Sequence, residues 1–388
     1  MQRRMKKTYD LIVIGSGSIG VPVAMEFARN KQSVLVIDSL ASPGQGQDKK
    51  AIGGIRATHS DKGKILVSKR SIEIFSNWKG LYGDDIQWKD NGYSFPAYTE
   101  KDEGVLRDLL KIQQKFSLNI TWVSPEEYRE LNPGINMDGL RGSTYSPQDG
   151  SASPLLFTQS SYFKANEYGA EFKFKETVVG FEIDGGKIIS VKTNKGIYYS
   201  ANVLNTAGAY AKDVSLMAGI DIPVNPDSHE AGISEPMNPF MGPMVVDMRE
   251  EPGSKNFYFY QNVEGQVVFC LTPDPPMWGI KNKSTSSFLP MIAKRMINIM
   301  PVLKNLKVRR TWRGQYPMTP DGFPIVGKMH ELDNFYQAVG MCGQGFMLGP
   351  GMAELIYRLI TQGYHSDDRE ILKSFDPYRD FKSQEVFK

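Results

Sequence analysis

Hydrophobic and polar positions along this chain follow three rhythms. The apolar run at residues 11–14 (Leu-Ile-Val-Ile) and the mainly apolar stretches 33–37 and 335–339 predict short buried strands, the first of them in a parallel sheet. A further run at 203–206 enters the small-residue turn Ala207-Gly208. Helices are expected at 21–30, 65–78, 103–116 and 155–168. Another is expected after Ser124, where Ser-Pro-Glu-Glu supplies an N-cap, a first-turn proline and a capping glutamate. Alternation marks the third class. Phe257-Tyr-Phe-Tyr and the 266–271 run predict antiparallel strands around Glu264-Gly265, and two more strands bracket Asp184-Gly-Gly. Residues 85–96 read as strand, turn and strand with Asn91-Gly92 as the turn. The Pro/Met-rich stretch 235–248 reads as an irregular surface loop.

The first two buried strands enclose Gly15-Ser-Gly17-Ser18-Ile19-Gly20, and Asp38 follows the second, with Ser39 next to it. In G-x-G-x-x-G the first glycine permits a tight turn. The second lets backbone approach a diphosphate, and the third brings helix against strand. The helix that follows aims its N-terminal amides at phosphate. A carboxylate at the end of the second strand accepts the hydroxyls of an adenosine ribose. With strand, helix, strand and acid in register, these residues predict a dinucleotide site.

Composition narrows the classes. A chain of 388 residues, 40% apolar and 23% charged, is expected to form two globular domains. The net charge of +3 is nearly balanced, and no basic run interleaved with aromatics supports nucleic-acid binding. No stretch approaches the ~18 apolar residues of a membrane span. The basic residues 1–7 precede the first strand rather than a leader, since cleavage there would destroy the glycine turn, so a cytoplasmic protein is expected. Two cysteines, Cys270 and Cys342, and four scattered histidines offer no metal-ligand spacing, so no metal is expected.

The C-terminal part carries Thr311-Trp-Arg-Gly-Gln-Tyr316-Pro-Met-Thr-Pro-Asp-Gly-Phe-Pro-Ile-Val-Gly, then strand 335–339, then Gly340-Met-Cys-Gly343-Gln-Gly345-Phe346-Met347-Leu348-Gly-Pro. Together with the N-terminal glycine turn, this resembles the flavin-dependent D-amino-acid oxidase/sarcosine oxidase (DAO) family over nearly the whole length. The resemblance implies an α/β plus α+β fold: a discontinuous Rossmann-like FAD domain (1–84, 145–221 and 307–388) and an antiparallel-sheet substrate domain (85–144 and 222–306). It implies FAD, held by Gly15, Gly17, Ser18, Ile19, Gly20, Asp38, Ser39, Gly53, Gly54, Val178, Ala207, Gly208, Gly343, Gly345, Phe346, Met347 and Leu348. Gly53-Gly54 lets backbone approach a flat ring, and in the family the arginine matching Arg56 can hold the substrate carboxylate in a bidentate grip. An active-site tyrosine matches Tyr258. His59 is expected to be a loop histidine rather than a catalyst.

Three departures refine what the resemblance implies. Where glycine and D-amino-acid oxidases carry Gly-Leu-Arg-Pro, this chain has Gly314-Gln-Tyr316-Pro. Gly314 stands where monomeric sarcosine oxidases tether FAD through cysteine, which implies non-covalent FAD. Met347 stands where those oxidases place an oxygen-activating lysine, which favours a dehydrogenase. The expected activity is oxidation of a secondary or N-methyl amino acid (proline, hydroxyproline or sarcosine class) to an imine. The chain would serve as the β-type catalytic subunit of a heteromer whose partners carry FMN, a dinucleotide site or iron–sulfur clusters, with FMN at the interface as an additional cofactor. The alternatives are a self-contained peroxide-forming oxidase and a non-catalytic electron-relay module.

Overall fold

The computed structural model of the protein describes residues 7–385; residues 1–6 of the basic N-terminal stretch lie outside the described residues. Two eight-stranded sheets organise the chain. At the centre of the first, Thr8–Ile14 runs parallel to Val34–Ile37 on one side and Ile197–Asn205 on the other. Glu171–Lys173 extends one edge, and Phe335–Val339 with the antiparallel Ile325–Lys328 extends the other. The hairpin Val178–Asp184/Lys187–Thr193 joins this sheet through Ile197–Asn205. Leu11, Ile12 and Val13 are fully buried, as a strand covered on both faces requires.

On one face lie the helices Gly20–Arg29, Lys62–Tyr82, Pro154–Glu167 and Gly345–Thr361, and their Phe27, Phe75, Phe157, Leu348 and Met352 form a common core. The last helix packs against both of the first two, so the end of the chain returns to its beginning.

The second sheet runs in the order Val308–Met318, Asn225–Pro236, Gln266–Pro273, Ser254–Gln261, Met244–Asp247, Tyr93–Ala97, Gly142–Ser146, Thr121–Val123. The alternation at 257–260 is realised directly. Phe257 and Phe259 turn toward helix Phe288–Ile299, while Tyr260 packs on the opposite side with Tyr93 and Phe95. The expected capping box at Ser124 and Glu127 is present.

Two expectations need correction. Residues 85–96 form no hairpin: Tyr93–Ala97 pairs instead with Gly142–Ser146 and Met244–Asp247, and the Asn91 amide donates to the Gly242 carbonyl. The stretch 235–248 is not simply a surface loop, because Met244 and Val245 lie in a buried strand. By strand pairing, Val308–Met318 belongs to the second sheet, where it runs alongside Asn225–Pro236. The expected boundary at 307 assigns this strand to the FAD domain.

Candidate active site

A single cavity of about 1710 Å³ runs between the two sheets, from the glycine turn to the tyrosines of the second sheet. At its first end Gly15 has φ +110°, and a Cβ there would meet the Thr206 carbonyl oxygen at 2.7 Å. Gly20 touches Gly15 so closely that a Cβ would fall 1.9 Å from the Gly15 oxygen, while Gly17 faces open space. The turn therefore has a packed underside and a clear upper face, as close approach of a diphosphate requires. Asp38 turns its carboxylate back to this loop, accepting from the Ser16 backbone N–H and hydroxyl, both at 2.7 Å, and from Leu40 N–H at 2.8 Å. Ser39, Val178, Ala207 and Gly208 line the same end.

The C-terminal helix completes the cradle. A Cβ on Gly345 would lie 3.3 Å from Ser18 Oγ, and one on Gly349 2.2 Å from the Ser18 carbonyl oxygen. The glycines of the two terminal motifs thus meet at Ser18. Gly343, Gly345, Phe346 and Met347 reach the cavity. Leu348 and Gly20 do not. Leu348 is sealed in the core, and Gly20 serves the turn from below.

Along the middle of the cavity, Gly53 and Gly54 bring bare backbone to the wall. Gly53 has φ +93°, and a Cβ on Gly54 would fall 2.1 Å from the Tyr93 hydroxyl. Arg56 follows, lining the cavity yet only 7% exposed. Its Nη1 donates to the Thr58 carbonyl, lies 3.3 Å from His59 Nδ1, and the guanidinium sits 5.8 Å from the Phe95 ring centre. Asp149 accepts from Ala57 N–H at 2.9 Å and so anchors the segment. Burial pushes its carboxyl up to about 7, opposed by the Ala57 amide and the Arg56 charge. His59 is fully buried, and desolvation with the Arg56 and Lys64 charges holds its imidazole well below the ordinary range. A neutral neighbour of Arg56, it lies in a loop as expected, but fully buried.

The far wall is the second sheet. Trp312, Ala231, Cys270, Tyr258 and Val246 are register partners across five strands and form one row. The next pairs along are Gly314 opposite His229 and Tyr316 opposite Asp227. Tyr316 leans diagonally so that its hydroxyl lies 2.5 Å from the Tyr258 hydroxyl and 3.7 Å from Cys270 Sγ. Its ring stacks on His229 with centres 3.9 Å apart, and His229 Nε2 is 3.0 Å from Asp227 Oδ2. Burial, the leading cause, pushes both phenols well above their usual range, so they are neutral hydroxyl groups. Gly343, at φ +80°, closes on the Tyr316 ring, where a Cβ would fall 2.2 Å away.

Sequence reasoning missed Asp227, His229 and Asp149. The first two had a signal, since positions i and i+2 of a strand share a face. Asp149 had none: its role depends on the pairing of Gly54 with Ser151 across 97 positions of chain. Among the described residues no cluster of histidine, cysteine or acids is arranged to hold a metal, and no helix is long and apolar enough to cross a membrane.

A glycine-turn dinucleotide cradle opening onto a chamber with an arginine and paired tyrosines defines a dinucleotide-dependent oxidoreductase. The chain belongs to the FAD dependent oxidoreductase (DAO) family, which it matches over residues 10–359. It is 25% identical over 355 residues to a sarcosine oxidase subunit beta from Arthrobacter sp, covering 89% of this chain and 85% of that one. It is 21% identical to the hydrogen cyanide synthase subunit HcnC of Pseudomonas protegens, covering 92% and 94%. Among solved structures, L-proline dehydrogenase from P.horikoshii superposes with a TM-score of 0.90 at 32% identity, covering 97% of this chain and 98% of that one. Glycine oxidase from Bacillus cereus shares the fold, with a TM-score of 0.82 at 22% identity over 96% and 99%.

The residues present fit FAD. The clear face above Gly17, the Asp38 carboxylate at the strand end and the bare backbone at Gly53-Gly54 lie along one continuous cavity.

Proposed function

We propose that this protein oxidises a secondary or N-methyl amino acid of the proline, hydroxyproline or sarcosine class to its imine, as the catalytic β-type subunit of a heteromeric dehydrogenase. The observation that carries the reading is the placement of Arg56 and the Tyr258–Tyr316 pair in the cavity of the dinucleotide cradle. The likeness to L-proline dehydrogenase, extending over 97% of the chain, supports the substrate class. The likeness to a sarcosine oxidase subunit beta supports the subunit role.

FAD held by the Gly15–Gly17 turn, Asp38 and the Gly53-Gly54 backbone would supply the two-electron acceptor for oxidation of the C–N bond to the imine. The chain supplies binding and orientation. Arg56 takes the carboxylate through its planar fork, and burial keeps water from competing. In the neutral Tyr258–Tyr316 pair one hydroxyl donates to the other, and the remaining donor faces the substrate from the opposite wall and helps fix it between arginine and sheet. Met347, at the start of the C-terminal helix, presents a thioether where a cation would promote electron transfer to oxygen. Electrons are therefore expected to leave for a partner subunit, with FMN at that interface as the receiving group.

Steady-state turnover tests this reading. L-proline, hydroxyproline or sarcosine should support reduction of an artificial dye much faster than consumption of oxygen. Oxygen uptake equal to amine oxidation would instead establish a self-contained oxidase.

A further inference from the structure

One carboxyl group at the cradle has no place in the scheme above. Asp48 lines the cavity within the loop between the Val34–Ile37 strand and Gly53, and it is only 4% exposed. This loop is fastened to the glycine turn: Gly44 N–H donates to the Ser16 carbonyl at 2.9 Å, and Lys49 N–H to the Gly44 carbonyl at 3.0 Å. Asp48 closes it from within. Its Oδ2 accepts from the Thr158 hydroxyl at 2.6 Å, and Gly44 passes so near that a Cβ there would fall 2.9 Å from the same oxygen. Its Oδ1 is buried without a hydrogen-bond partner.

The groups packed around Asp48 are hydroxyls: Thr158 from helix Pro154–Glu167 and Ser18 from the glycine turn. The lysines that follow it reach elsewhere, Lys49 to Gln45 and Lys50 to Asn282 and Gln315. Burial pushes the Asp48 carboxyl up to about 7, against the pull of the Thr158 and Ser18 hydroxyls. A diphosphate on the glycine turn brings further negative charge to the same neighbourhood, and like charge disfavours the carboxylate again.

We propose that Asp48 is the proton-linked element of the dinucleotide cradle: FAD is held with Asp48 as the neutral acid, and loss of that proton promotes release of the cofactor. The inference rests on reading the glycine turn as the diphosphate site of FAD. For the sign, the free protein carries the neutral acid below about pH 7 and the carboxylate above it. With FAD bound, the added negative charge moves the change to higher pH. Binding therefore takes up a proton in the window above about pH 7. Affinity is flat below that window and falls by up to ~tenfold per pH unit within it.

The test is FAD binding to apoprotein from pH 6 to 9, read by flavin fluorescence. Calorimetry at pH 8.5 in buffers of different ionisation enthalpy counts the protons. Wild-type protein should show the alkaline fall and uptake approaching one proton per FAD. Asp48→Asn should bind with nearly constant affinity across the range and take up none. Thr158→Val, which removes a donor favouring the charged form, should shift the alkaline fall to higher pH. A wild-type profile that is flat without proton uptake overturns the proposal and leaves the FAD reading intact. An Asp48→Asn profile that falls as the wild type does overturns it as well. Absence of FAD binding at every pH overturns both.

Discussion

Replacing Arg56 with alanine should abolish the preference for substrates that carry a carboxylate. The guanidinium is only 7% exposed, so water cannot readily take over its role. Truncating one partner of a buried, charge-assisted hydrogen-bonded pair costs about 2–4 kcal/mol. That corresponds to a fall of about 30- to 900-fold in kcat/KM. The useful assay compares L-proline with pyrrolidine, which has the same ring amine and no carboxylate, by stopped-flow reduction of the flavin without oxygen. The mutation should slow flavin reduction by proline by that factor while leaving reduction by pyrrolidine nearly unaffected. Arg56→Lys, which keeps the charge and loses the fork, should fall between. Folding is not expected to fail in the alanine variant, because Asp149, left without the guanidinium, can adopt the neutral form that its burial already favours. A variant that still prefers proline over pyrrolidine as the wild type does would remove Arg56 from the carboxylate site, whatever its absolute rate.

Two other predictions concern the flavin and its electrons. FAD should be released by acid precipitation, leaving a colourless pellet, because Gly314, at the tether position, has no side chain to form one; yellow denatured protein would contradict this. Met347→Lys should speed reoxidation by oxygen tenfold or more, as even ~1.4 kcal/mol of added charge stabilisation suffices. The N-terminal end of its helix opposes the ammonium and sets a ceiling on the gain. An unchanged reoxidation rate in rapid mixing with oxygenated buffer would show that charge at this position does not govern the reaction.

The parts of the fold legible in the sequence were those whose signal is local. The glycine turn, the apolar strands beside it and the capping box each span a few residues, and their physics is complete within that span. The Phe257-Tyr258-Phe259-Tyr260 alternation likewise gave both the strand and its two faces. Less legible were elements defined by distant partners. Met244–Asp247 looked irregular because Pro and Met surround it, yet it pairs with Tyr93–Ala97, about 150 positions earlier. Asn91-Gly92 has hairpin chemistry, but the strand after it found partners far along the chain. At the site, Arg56, Tyr258, Tyr316 and Met347 all line the cavity. Asp48 and Asp149 became visible only when burial and neighbours were known, since an isolated acid in a sequence carries no mark of what encloses it, whereas Asp227 and His229 had the i, i+2 spacing of one strand face.

The most direct test of the central claim is an anaerobic titration of the FAD-loaded protein with L-proline, hydroxyproline and sarcosine, following the flavin absorption band. The account predicts that at least one of them bleaches the band stoichiometrically, that the imine appears in equal amount, and that a dye restores the colour faster than air does. A flavin band unchanged by all three, in protein that dithionite reduces normally, would contradict it.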